Sequence, residues 1–254
     1  MKIGKKRIFP FAEKKAIAES YDAVLQLHYA IDEATGDRVF VSDKKRLELY
    51  RKGKTHRLDW LVGDYRLPAD LIRPGDVVLD VGANIGELGL WAVERGADYI
   101  AFELDPVAFR ALQSNVPGHR LYDVALSDTD GTATFYLNTA EADSSLFKPQ
   151  ESDASIEVRT ALLDGFLQET GAPERIRLFK VEAEGMEPEV LAGASDTLER
   201  VEYLAVDAGP ERGGENTVPP VFNAVSQAGF ELLDCFLLRG RFLFRNRAFA
   251  ADPS

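Results

Sequence analysis

The chain has 254 residues, with 42 acids against 30 lysines and arginines, a formal charge of −12 and 45% hydrophobic residues. Such a chain can bury a full core as one α/β domain with an extension, and its acidic balance argues against nucleic acid as a general partner. The single cysteine, Cys235, rules out an intrachain disulfide and a thiolate metal centre, and no leader pattern or bilayer-length apolar run is present, so a cytoplasmic location is expected.

The first third of the chain reads as a cap of mixed helix and strand. Lys2, Lys5, Lys6, Arg7, Lys14 and Lys15 make a basic start with one acid, Glu13. The apolar spacing of Ala16, Tyr21, Val24, Leu25 and Leu27 predicts a helix over 12–30. Arg38 to Ser42 reads as a short strand, Arg46 to Tyr50 as a strand or a turn of helix. A second basic stretch holds Lys44, Lys45, Arg46, Arg51, Lys52, Lys54 and Arg57 against Glu48. Such segments are most often a solvated face, and they also suit an anionic acceptor. Arg57 to Leu67 is expected as a helix or strand lying over the ligand site, and Pro74-Gly75 turns into the core.

Val77-Val78-Leu79-Asp80-Val81 is a buried strand by composition, and Gly82-Ala83-Asn84-Ile85-Gly86 is a Gly-rich turn. A helical pattern of Leu88, Leu90, Trp91 and Val93 follows at once. Glycine admits close backbone approach, and the helix start offers free N–H groups. A dinucleotide fingerprint needs a third glycine that is missing here, and no phosphate loop occurs. Asp80 before the turn would repel a phosphate and attract an ammonium.

Tyr99 to Phe102 is the second strand, closed by Glu103, which lies 23 residues beyond Asp80. A carboxylate there has the two acceptor oxygens that a ribose diol requires. Asp105 suits a helix N-cap and Pro106 its first turn, with the helix running to Asn115. A third strand spans Arg120 to Leu126, and likeness to the general nucleotide-binding fold implies that Asp123 at its end accepts from an adenine amino group while Val124 and Ala125 pack on the ring. Thr132 to Leu137 alternates as a strand, and 140–156 is polar enough for a loop. Ile176 to Val181 is the fourth core strand, followed by Glu182, Glu184 and Glu187 beside Lys180. Three carboxylates at the C-terminal end of a buried strand stand where such sheets bind ligands. Glu187 also suits the first turn of a helix. Val201 to Val206 is the fifth strand, ending in Asp207-Ala208-Gly209, with a polar loop over 212–218 and a helix over Pro219 to Gly229. Phe230 to Leu238 and Arg241 to Arg245 form a hairpin with Cys235 buried near its start. His28, His56 and His119 are scattered and suggest no metal cluster, so no metal is assigned.

The ordered motifs resemble the FkbM-type methyltransferases, a family of S-adenosylmethionine-dependent O-methyltransferases. They are D-V-G-A-N-I-G-E from Asp80, F-E-L-D-P from Phe102, A-L-S-D-x-D-G from Ala125, Ser144-Ser145, T-A-L-L-D-G-F-L from Thr160, and K-V-E-A-E-G-M-E-P-E-V-L-A-G-A from Lys180. One departure stands out: the family usually has Asp where this chain has Glu182. The resemblance implies a doubly wound, Rossmann-like class I methyltransferase sheet, mostly parallel with an antiparallel C-terminal hairpin. The turn at Pro74-Gly75 divides the chain into a cap over 1–73 and a core over 74–254, and the resemblance implies S-adenosylmethionine as cofactor. Asp80, Gly82, Ala83, Asn84, Gly86, Glu103, Asp123, Val124 and Ala125 are expected to bind it. Glu182 is the first candidate base, ahead of Glu184, Glu187 and His56, with Asp207 as an outsider. The expected acceptor is a hydroxyl of a sugar, surface glycan or glycolipid, or else of a secondary metabolite. Three other readings stay open at this stage: a non-catalytic binding protein, a Mg²⁺ or Ca²⁺ site on Glu182 and Asp207, and a nicotinamide oxidoreductase.

Overall fold

The computed structural model describes residues 16–137, 154–212 and 214–249. The basic start of the chain, Ser144-Ser145 and most of the expected polar loop lie outside them.

Seven strands form the central sheet. They are β4 (Val77–Val81), β5 (Asp98–Phe102), β6 (Arg120–Tyr122), β10 (Ile176–Val181), β11 (Val201–Asp207), β12 (Phe230–Phe236) and β13 (Arg241–Asn246). Their order is β12-β13-β11-β10-β4-β5-β6. The five strands β6, β5, β4, β10 and β11 run parallel, and β13 and β12 close the other edge antiparallel. This is a mostly parallel, doubly wound sheet with an antiparallel C-terminal hairpin. The chain reverses direction across the sheet between β4 and β10, so the ligand crevice belongs there.

Both faces of the sheet are covered, and the strands' period of two sorts side chains between them. Leu79, Val81, Ile100, Phe102, Phe179 and Val181 point to one face. There they meet Leu163, Phe166 and Leu167 of α4 (Leu163–Thr170), Val190 of α5 (Glu187–Ala192) and Val221 of α7 (Val218–Gln227). Val78, Tyr99, Ala101 and Leu178 point to the other. They pack on Leu58 and Val62 of α1 (Lys54–Asp64), Leu88 and Trp91 of α2 (Glu87–Val93), and Leu112 of α3 (Pro106–Asn115). Asp80 and Lys180 fall on this second face and sit side by side in register. At the start of α3, Asp105 accepts from Val107 and Ala108 N–H and Pro106 fills the first turn, as the sequence predicts.

The N-terminal part differs from expectation. In place of a helix over 12–30, the chain forms β1 (Ile17–Asp22) and β2 (Leu27–Asp32), joined with β3 (Arg38–Val41) in an antiparallel meander. Residues 12–15 lie outside the described residues. Asp22 breaks the apparent helical period by accepting from Val24 and Leu25 N–H, and Val24 is 92% exposed in that turn. The strands bury Ile17, Leu27, Val39 and Val41 on Leu47, Tyr50, Ile85 and Ala108. Residues 44–50 are a 3₁₀ turn.

Two other elements are corrected. The third strand breaks at Asp123-Val124. β6 stays in the main sheet, whereas β7 (Ala125–Leu126) leaves to pair with β9 (Ala154–Ala161), which also pairs with β8 (Gly131–Leu137). Residues 154–156, expected in a loop, open β9. Cys235 is only half-buried, because β12 is an edge strand.

Gly193 ends α5 where a Cβ would stand 2.1 Å from the Ser127 carbonyl oxygen. Its backbone is not strained, so the constraint is steric. Gly193→Ala should cost about 1–3 kcal/mol, as overpacking does. A urea midpoint equal to that of the wild type would remove this account of the packing.

Candidate active site

Register places the site in one row. Phe102 pairs with Val81 and Tyr122, and Val181 pairs with Val81 and Val206. The residues one step beyond these strand positions are therefore neighbours: Asp123, Glu103, Gly82, Glu182 and Asp207. Asp207 in turn pairs with Arg241 of β13. Five separate motifs thus meet along one sheet edge.

One half of the row is built on the turn after β4. Gly82 has φ +73°, and a Cβ there would lie 1.8 Å from the Glu182 carbonyl oxygen. Only glycine lets the turn lie this close to the neighbouring strand end. Asn84 also takes a positive φ, and its N–H donates to Glu103 at 2.7 Å. The other Glu103 oxygen accepts from Asp105 N–H at 2.7 Å. Burial pushes the Glu103 carboxyl up to about 7, although both amides oppose this. Its oxygens keep spare lone pairs. Asp123 is exposed in the break after β6, Val124 is half-buried and Ala125 is buried in β7. Ala83 and Gly86 are buried within the turn. A Gly cradle, an acceptor carboxylate and an exposed acid beside apolar residues fit a nucleoside bearing a diol and an amino group.

Asp80 has a different setting. It is buried, accepts from the Tyr99 hydroxyl at 2.5 Å, and lies 3.1 Å from Lys180 Nζ. Its charge therefore acts from beneath the turn. Lys180 Nζ also donates to the Gly82 carbonyl at 2.7 Å and pairs with Glu182 at 3.1 Å. Burial would lower the Lys180 pKa, but Asp80 and Glu182 outweigh it and raise it.

Glu182 is fully engaged. It accepts from the Tyr65 hydroxyl at 2.5 Å and from Arg241 Nη2 at 3.0 Å in addition to its contact with Lys180. Burial alone would raise this carboxyl; the charges of Lys180 and Arg241 and the Tyr65 hydrogen bond hold it down at about 2. A carboxylate so stabilised is a poor proton acceptor. Arg241 further pairs with Asp64 and Asp207, and Arg239 also pairs with Asp64. Glu182 and Asp207, weighed above as a metal pair, thus share one guanidinium.

The other candidate bases are dispersed. Glu187 is buried and accepts from Ala183 and Gly185 N–H, and burial raises its pKa. It closes its own loop at the start of α5. Glu184 is half-buried at a positive φ, and His56 is exposed on α1. Tyr65, Asp64 and Arg241 escaped the sequence analysis, since none lies in a motif. Glu87, the last residue of the first motif, accepts from the Tyr50 hydroxyl at 2.5 Å and forms a two-point pair with Arg57, tying the N-terminal segment to α2.

The methyltransferase FkbM domain, as a family, matches residues 80–232, and the chain belongs to that family. It is an S-adenosylmethionine-dependent methyltransferase. The 2-O-methyltransferase NoeI of Sinorhizobium fredii (strain NBRC 101917 / NGR234) is 25% identical over 74% of this chain and 89% of that protein. The 31-O-demethyl-FK506 methyltransferase FkbM of Streptomyces tacrolimicus is 35% identical over 49% of this chain and 62% of its own length. The hexuronic acid methyltransferase AglP of Haloferax volcanii is 30% identical over 58% of this chain and 65% of its own length. No helix among the described residues is long and apolar enough to cross a membrane.

The buried pair sets a stability prediction. Lys180→Met leaves Asp80 uncompensated and should cost about 3–5 kcal/mol, whereas adding Asp80→Asn should recover much of that loss. Equal urea stabilities for the single and double variants would refute the pairing.

The two shifted glutamates set a second, of opposite signs. Glu182, held at about 2, contributes stability that is present above the ordinary carboxylate value and lost as pH falls from about 4.5 towards 2. Glu103, raised to about 7, favours folding most when neutral, and that contribution is lost as pH rises from about 4.5 to 7. Glu182→Gln should therefore be more damaging at pH 6 than at pH 3, and Glu103→Gln less damaging at pH 8 than at pH 5. Denaturant midpoints across pH would show it.

Proposed function

We propose that the enzyme transfers the methyl group of S-adenosylmethionine to a hydroxyl of a sugar or glycan, with an anionic sugar favoured. The row along the sheet edge carries this reading. Its cofactor half, Asp123, Glu103 and Gly82, adjoins a half made of Glu182, Asp207 and Arg241, so donor and acceptor would meet at the crevice between β4 and β10. The named acceptors of two relatives support the acceptor class, one a hexuronic acid and one a 2-O position.

S-adenosylmethionine supplies, when bound, an electrophilic methyl group. The chain has then to hold the donor, orient a hydroxyl and take up its proton. Glu103 would accept the ribose hydroxyls, Gly82 to Gly86 would admit the methionine end, and Asp123 with Val124 and Ala125 would receive the adenine. Asp80 would act through its field beneath the turn. Glu182, weak as a base, would organise the acceptor side by orienting Tyr65, Lys180 and Arg241. In this reading residues 1–73 cap a catalytic core over 74–254, because Asp64 and Tyr65 reach the row from α1. A lone half-buried cysteine suits a reducing compartment, which favours the cytoplasm.

A calorimetric titration with S-adenosylmethionine, followed by labelled-methyl transfer to a panel of hexuronate, hexose and deoxyhexose glycosides, tests the reading. Binding and ether-linked label on at least one uronate are expected. Glu103→Ala should weaken donor binding by about 1–3 kcal/mol. Label confined to nitrogen or to non-sugar hydroxyls would overturn the acceptor class.

A further inference from the structure

We propose that Asp207 is the catalytic base, taking the proton of the acceptor hydroxyl in the cleft that it lines. The proposal rests on methyl transfer to a hydroxyl, as read above, and assigns the step for which the paired oxygens of Glu182 are not free.

Position comes first. Asp207 ends β11 in the same row as Gly82, two strands away, or about 10 Å at the usual strand spacing. A cleft of about 630 Å³ opens beside it, within the size range of small-molecule sites. Asp207, Arg239 and Arg241 supply polar lining, Asn216 adds an amide, and Phe222 and Leu237 form part of an apolar wall. Glu182 does not line this cleft.

Availability comes second. Both Glu182 oxygens are engaged, one by Arg241 and the other by Tyr65 and Lys180. Asp207 differs. One of its oxygens, Oδ2, faces Arg241 Nη1. The other, Oδ1, accepts no hydrogen bond among the described residues. It lies 3.0 Å from where a Cβ on residue 240 would stand, and that residue is glycine at φ +67°. The missing side chain leaves Oδ1 approachable. Arg241 fixes the carboxylate from the opposite side. The side chain is 16% exposed, enough to meet a ligand and too little to swing freely.

The step balances without a further reactant. The hydroxyl oxygen forms a bond to the methyl carbon as the carbon–sulfur bond breaks, and sulfur keeps that electron pair. The hydroxyl proton passes to Asp207 Oδ1. The products are a methyl ether, a neutral thioether and a protonated Asp207 that returns its proton to solvent through the cleft.

The test compares full-length wild type with Asp207→Ala, Asp207→Asn and Glu182→Gln on the glycoside panel. Each is also titrated calorimetrically with the donor's demethylated product, S-adenosylhomocysteine. Asp207→Ala should lose roughly 10²–10⁴-fold in kcat. Its affinity for S-adenosylhomocysteine should stay within about threefold. Added formate, a small substitute carboxylate, should restore turnover in this variant on the order of tenfold and leave Glu182→Gln unchanged. Should the alanine variant unfold, Asp207→Asn keeps the size and a contact to Arg241. It should lose kcat to the same order, together with the acid limb of the pH profile. A folded Asp207→Ala that retains more than about a tenth of wild-type turnover, or that formate does not rescue, overturns the assignment. A wild-type chain that binds the donor yet methylates no hydroxyl of the panel overturns the hydroxyl reading itself, and the role of Asp207 with it.

Discussion

The buried ammonium of Lys180 is the point on which the site depends. A lone charge in a sheet interior is prohibitive, and this one is tolerated because Asp80, Glu182 and the Gly82 carbonyl surround it. In meeting its own needs Lys180 fixes three things at once: the strand acid, the Gly-rich turn and the first residue beyond β10. Its place follows from register, since Lys180 and Asp80 are paired on the face that also carries Tyr99. A shift of one residue in β10 would send the ammonium into the apolar cluster of Phe179 and Val181 on the opposite face.

From Lys180 the charges continue outward. Glu182 links it to Arg241, and Arg241 links Glu182 to Asp207 and Asp64. Asp64 and Tyr65 come from the end of α1, so the N-terminal segment is bound to the sheet edge by ions as well as by the packing of Leu58 and Val62. This arrangement separates tasks among similar groups. Glu103 is a carboxyl raised by burial, and Glu182 is one held low by three donors. Two glutamates in one row thus have opposite proton affinities, which suits one to a ligand contact and the other to holding cations in place.

The Gly-rich turn and the strand ends beside it were legible in the sequence because their determinants are local. A continuous apolar run, two glycines and a following helix occupy adjacent positions, and Glu103 closes the next strand. Asp105 and Pro106 announce the start of α3 by cap chemistry alone. The N-terminal helix was misread because Tyr21, Val24 and Leu25 fall at helical spacing. Asp22 uses its carboxylate to build a turn there, which ends β1 and leads into β2. β9 was not read from the sequence; it lies in a small satellite sheet, and its first half, Ala154 to Glu157, is exposed or half-buried.

What the sequence by itself determined is the core: the parallel strands, the Gly-rich turn after β4, and the family carried by the ordered motifs. These rest on interactions between residues close in the chain, or on hydrophobic patterns that any buried strand must show. Which carboxylate is occupied and which is open was decided only by tertiary structure. Tyr65 reaches Glu182 across 117 positions and Arg241 reaches it across 59. Such partners leave no trace in a local pattern, because the electrostatics of a buried acid depend on whatever the fold brings within a few ångströms of it.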